Sequence, residues 1–283
     1  MAIPARAVAT TALTALAVTW CRSAGASGVQ LLAADFDSGD LFRVSALDAS
    51  ASFAASTGLP GLGALELAPD GFLYGFTTGD APNPGWYRFD PTTLSPTRVG
   101  DLDIGLVFEG GLAFAPNGTL YGANQNEDDA AGLFSIDPDT GQANLIGTIS
   151  GGPRDINGLA WRGDGALIGL DRISNALLAI DPITALATPI IQIAPAVGTV
   201  GGMAVLDDTA YFVTSGPGEP VPGSNELYRV DLFTGAYDRV GSLSPSITGT
   251  GVGGLAVPEP GTCFLLLGLT AAMCRRRRSA SSR

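Results

Sequence analysis

One alternation of apolar and polar positions recurs through most of the chain. It reads LGALELAPDGFLYG at 62–75, GGLAFAPNGTLYG at 110–122, NGLAWRGDGALIG at 157–169 and GGMAVLDDTAYFV at 201–213, and a truncated GGLAV stands at 253–257. A second phrase follows each full copy: WYRFDP at 86–91, LFSIDP at 133–138, LLAIDP at 177–182 and LYRVDL at 227–232. An earlier LFRVS at 41–45 belongs to the same series, with Ser45 in the Asp slot. The short apolar runs alternate with turn residues, Pro-Asp-Gly or Pro-Asn-Gly after the first run and Asp-Pro-x-Thr-Gly-like segments after the third, which predicts strands joined by tight turns.

The repeat length sets the architecture. Asp90, Asp137, Asp181 and Asp231 are spaced by 47, 44 and 50 residues, and Gly111, Gly158, Gly202 and Gly254 by 47, 44 and 52. Each unit holds four strand-like runs, which we label a to d, and four strands per unit of about 40–50 residues predict a β-propeller blade. Four full blades run from about 62 to 241. The segment 29–56 supplies b (29–34), c (41–45) and d (51–56) without an a strand, and 254–257 supplies an a strand alone. Together they predict a fifth blade built from both ends, which closes the ring and removes the free sheet edges of an open array. The expectation is therefore an all-β propeller domain of five four-stranded blades over residues 27–257.

Composition narrows the chemistry. The 283 residues include no His and no Lys, so Ser-His-Asp triads, His-based zinc sites, Schiff-base and P-loop chemistry are excluded. The three Cys (Cys21, Cys263, Cys274) lie in terminal apolar segments, leaving no disulfide framework for the body. Residues 27–257 carry 8 Arg against 26 Asp plus Glu, a charge of −18. Such an acidic body disfavours nucleic acid, whose phosphates need clustered cations.

Both ends read as addresses. In residues 1–26, Arg6 precedes an apolar stretch and Ala24-Gly25-Ala26 offers a small-x-small exit, the pattern of a secretory signal peptide for signal peptidase and the Sec machinery. An uncleaved N-terminal anchor is the alternative. At the other end Val257-Pro258-Glu259-Pro260 precedes an apolar run at 261–274 and then Arg275, Arg276, Arg277 and Arg278 within a basic end at 275–283. Fourteen residues make a helix of about 21 Å, short of a bilayer core of about 30 Å, which suits transient insertion in the inner membrane with the arginines on the cytoplasmic side. This tail, 257–283, resembles the PEP-CTERM sorting signal. The resemblance implies processing by an exosortase, export to the cell surface or extracellular space, and bacteria that make extracellular polysaccharide and biofilm; an ordinary single-pass anchor is the alternative.

Aligned at the end of strand b, the repeats place Asp35, Thr77, Asn124, Asp171 and Thr214 in register around one end of the channel, with Glu109 and Asn157 just before their a strands. Oxygen donors of this kind suit a hard cation such as Ca²⁺. In residue type and register, Asp35, Glu109, Asn124, Asn157 and Asp171 resemble the divalent-metal ligands of gluconolactonase-like propellers, which are usually six-bladed. That resemblance implies a metal-dependent hydrolase or lactonase with Asp171 or Glu109 as base. The competing expectation is that these side chains cap their own loops. The recurring Asp90, Asp137, Asp181 and Asp231, and the Asn117-Gly118-Thr119 sequon, read as turn chemistry. Trp86, Tyr87, Phe134, Tyr228 and Trp161 read as core between blades. The expected role is a non-catalytic binding or scaffold module facing extracellular polysaccharide or surface protein.

Overall fold

A computed structural model describes residues 28–79, 81–82, 84–102, 110–124, 131–150, 155–193, 200–214 and 224–257. Twenty strands form five separate four-stranded antiparallel sheets. Blade 1 contains β1 (Gln30–Asp35), β2 (Asp40–Ser45) and β3 (Ala51–Ser56), and its innermost strand is β20 (Val252–Ala256) from the far end of the chain. Blade 2 is β4 (Leu62–Leu67), β5 (Leu73–Thr77), β6 (Gly85–Phe89) and β7 (Pro96–Gly100). Blade 3 is β8 (Gly110–Phe114), β9 (Leu120–Asn124), β10 (Gly132–Ile136) and β11 (Ala143–Thr148). Blade 4 is β12 (Ile156–Trp161), β13 (Leu167–Asp171), β14 (Ala176–Ile180) and β15 (Ala187–Gln192). Blade 5 is β16 (Val200–Leu206), β17 (Thr209–Thr214), β18 (Glu226–Asp231) and β19 (Tyr237–Ser242). The ring closes as the half-repeats require, with Leu32 opposite Ala256 and Ala34 opposite Gly254. The closing strand begins two residues earlier than the sequence suggests, because Val252 pairs with Asp35 across a bulge.

The core lies between blades. Five apolar clusters fill the five blade interfaces; one joins Tyr211, Val213 and Leu227 of blade 5 to Leu31, Val44 and Leu255 of blade 1. Another seats Trp86 of blade 2 near Leu112 and Ile136 of blade 3. The Trp86 indole N–H donates to the Pro138 carbonyl of the next blade at 2.8 Å, and its ring stacks on Tyr74. Tyr87 is also buried, and Phe134, Tyr228 and Trp161 pack against clusters, so these aromatics are core residues as expected.

One register slip recurs at the same place in every blade. The third-to-fourth strand pairing slips by one residue at Leu41/Phe42, Trp86/Tyr87, Leu133/Phe134, Leu177/Leu178 and Leu227/Tyr228. A bulge bends its strand and adds right-handed twist. The outer strand thereby swings toward the next blade, and Ser150, just beyond β11, donates its N–H to Ala185 of blade 4. The bulges also spoil the outer edges as templates for further pairing, helped by Pro96 in β7 and Pro189 in β15.

Near the axis the inner strands approach backbone to backbone. A Cβ on Gly111 would stand 2.2 Å from the Leu159 nitrogen, and one on Gly253 would stand 2.0 Å from the Leu62 carbonyl oxygen. What remains is a cavity of about 10 Å³ bordered by Gly110, Gly111, Asn157, Gly158, Gly202 and Gly254 among others. That is room for about one water. Among the described residues there is no helix long and apolar enough to cross a membrane. The expected signal peptide and the apolar run 261–274 lie outside the described residues.

Candidate functional site

Antiparallel order puts the b–c and d–a connections of every blade at one edge and the a–b and c–d turns at the other. The strand-end residues Asp35, Thr77, Asn124, Asp171 and Thr214 stand at the first edge, and all five are buried. Each is the last residue of its strand b. For Asp35, Asn124 and Asp171 the side chains turn onto the loops that follow them.

Asp35 Oδ1 accepts the amides of Asp37 at 3.1 Å and Ser38 at 3.0 Å, and its Oδ2 accepts the Gly249 amide at 2.9 Å. It thus fastens its own b–c turn and the connection leading into β20. Asp171 accepts from Ile173 N and Ser174 N, each at 3.2 Å, and from the Ser174 hydroxyl. Asn124 Oδ1 accepts the Gly132 amide at 2.7 Å, tying the two ends of its loop. These three oxygen sets face backbone amides, the arrangement of a loop cap. Asn157 is buried in β12 beside the axial cavity. Glu109 lies outside the described residues. Among the described residues no three His, Cys, Asp or Glu side chains gather as a metal-binding group.

At the opposite edge the recurring aspartates behave alike. Asp90 Oδ1 accepts Thr92 N at 2.9 Å, Asp137 accepts Asp139 N at 2.9 Å, Asp181 accepts Ile183 N at 2.8 Å and Asp231 accepts Phe233 N at 2.9 Å. Backbone amides hold the carboxyls of Asp90, Asp181 and Asp231 below the ordinary carboxylate range. Asn117 caps the Gly118 turn by accepting from Thr119 N at 3.0 Å.

Two charged sites go beyond the repeat reading. Asp155 is 2% exposed, and its Oδ2 accepts from Arg172 Nη2 at 2.8 Å, clamping the d–a connection of blade 4 to its b–c turn. The signal was an Arg directly after a strand-ending Asp. Glu66 occupies a position in β4 where the other inner strands carry Ala113, Ala160, Ala204 and Ala256. Burial pushes its carboxyl up from 4.5 to about 8, against a weak bond from Phe114 N at 3.3 Å. Aligning the repeats column by column exposes this exception.

The architecture is that of a five-bladed β-propeller. The tail beyond it matches the PEP-CTERM protein-sorting motif over residues 256–278, so this exported propeller carries a signal for exosortase-like processing at a membrane. Of that motif the structure describes only Ala256 and Val257; Pro258, Glu259, Pro260 and Arg275–Arg278 lie outside it. A comparison with curated proteins finds no match. Among solved structures, the chain is similar to a protein of unknown function from Bacteroides thetaiotaomicron VPI-5482, with 18% identity and a TM-score of 0.52, over 76% of this chain and 56% of that one. It is similar to a chain in a nidogen/laminin complex, with 12% identity and a TM-score of 0.55, over 82% of this chain and 98% of that one. A third likeness is to TolB from Acinetobacter baumannii, with 14% identity and a TM-score of 0.47, over 76% of this chain and 53% of that one. At these identities the first two likenesses speak to fold alone.

Proposed function

We propose that the chain is a non-catalytic binding or scaffold module, displayed outside the cell toward extracellular polysaccharide or a surface protein. In this reading residues 1–26 direct export and are removed, the propeller spans 27–257, and the tail 257–283 tethers the precursor to the inner membrane. Processing at the tail then delivers the propeller to the cell surface or the extracellular space.

The asymmetry of the two blade edges carries the reading. Seven connections at the b–c and d–a edge are seven residues or longer, and no turn at the other edge exceeds six. Long connections on a rigid ring are a good recognition platform. Among the described residues, the inner-strand glycines border a cavity of about 10 Å³, room for about one water. Asp35 and Asp171 each accept backbone amides of their own loops, which gives both side chains a capping role.

A glycan array and a calcium titration on the purified chain, followed by calorimetry and thermal melting, test this. Saturable binding of a neutral glycan, without a tightly held divalent ion, is the expected result. One tight ion per chain, with hydrolysis abolished by Asp171→Ala, would replace the proposal with the hydrolase reading.

A further inference from the structure

The tail leaves the propeller at a defined place. It continues from β20, an inner strand, and so departs at the edge that carries the a–b and c–d turns. Four residue steps separate Val257 from the start of the apolar run at Gly261, a reach of about 14 Å fully extended. Turning the other edge to the membrane would require the tail to run back along a five-residue strand, about 17 Å, before inserting. The turn edge is therefore the side a membrane tether holds close to the bilayer.

The c–d turns stand at the rim of that edge, and their tips divide the ring. The second residue after the cap is Leu47, Thr92, Asp139, Ile183 and Phe233 in blades 1 to 5, and the same backbone bond fixes each in register, Ser45 Oγ replacing the Asp in blade 1. Three adjacent blades, 4, 5 and 1, present apolar tips, with Phe233 92% exposed, Ile183 82% and Leu47 53%. Oδ1 of Asp181 and of Asp231 accepts the amides of its own turn, which holds each ionised carboxylate against that turn. Large apolar side chains on short rigid turns favour the boundary between headgroups and acyl chains. Blade 1, at one end of this group, is the blade from which the tail departs.

We infer that in the tethered precursor the turn edge of blades 4, 5 and 1 rests on the membrane surface, with Ile183, Phe233 and Leu47 seated in the lipid interface. The long connections then face away from the membrane, toward whatever the propeller recognises. This inference rests on the tail anchoring the precursor, and the experiment separates the two.

The full-length chain is reconstituted in phosphatidylcholine vesicles, floated, and oxidised with hydroxyl radicals for mass spectrometry. Ile173, 53% exposed in a b–c turn at the opposite edge, serves as the internal reference. Relative to Ile173, the three tips should oxidise several-fold more slowly on vesicles than after detergent removes the lipid. The combined variant Leu47→Ser, Ile183→Ser, Phe233→Ser retains every turn cap. It should float equally well while losing the protection of the adjacent Thr184 and Thr234. Tips that react as fast as Ile173 in the floated chain would overturn the inference and leave the tether intact. Protection that persists without lipid would assign the tips to the chain's own tail, and also overturns it. A chain that fails to float removes the tether, and the inference with it.

Discussion

Glu66 has a chemistry that conflicts with its position. Four inner strands place a small apolar methyl there, and the fifth places a carboxyl that burial drives up to about 8 from 4.5. Between those values the folded chain retains a proton that the unfolded chain has released, so stability from this group is greatest below about 4.5 and declines as pH rises toward 8. Replacing it by Glu66→Gln should stabilise the protein at pH 8 by about 1–2 kcal/mol and leave it nearly unchanged at pH 4.5, as thermal melts at the two pH values would read. The turn-capping Asp90, Asp181 and Asp231 act in the opposite sense: their carboxyls sit below the ordinary 3.8, so their contribution holds above that value and is lost on acidification. Their role was legible because a recurring Asp before a fixed turn always meets the same free amides. Asp35 was legible only in register. Its partner Gly249 lies 214 residues away, and no local pattern announces a contact closed by the far end of the chain.

At the scale of the strand, the repeat phrase encodes two devices, and only one of them was visible in advance. Strand number, turn type and blade boundaries follow from alternation and from Gly, Asn and Asp at the turns, and the observed strands sit within a few residues of those expectations. The bulge that recurs between the third and fourth strands leaves no residue signature, since an extra residue in a strand looks like any other strand residue. Gly111, Gly158, Gly202 and Gly254, which open inner strands, were read as repeat markers, and the structure gives their reason: adjacent blades touch there. Gly111→Ala should therefore cost about 3 kcal/mol or more in stability, because the added methyl would meet the Leu159 nitrogen at 2.2 Å. Gly163→Ala, with nothing within 4 Å and an ordinary backbone, should be close to neutral. Denaturant titrations of the two variants give the comparison.

At the scale of the whole molecule, the first and last strands of the propeller meet in one sheet, and the inner strand of blade 1 is the last of the twenty in chain order. A chain ending at Thr250 lacks Val252 and Leu255 from the cluster between blades 5 and 1 and leaves β1 without its inner partner. Such a chain should melt without a sharp transition and self-associate on size exclusion, and a peptide of residues 251–257 should restore a single transition. The same clasp also governs how the molecule bears force. Val257 leaves the propeller at the end of β20, so tension applied there along the strand axis would pull that strand lengthwise past β1. A lengthwise pull loads all the rungs of the ladder at once, where a sideways pull would break them one by one. The ring is thus fastened most firmly against a pull along the axis of its closing strand.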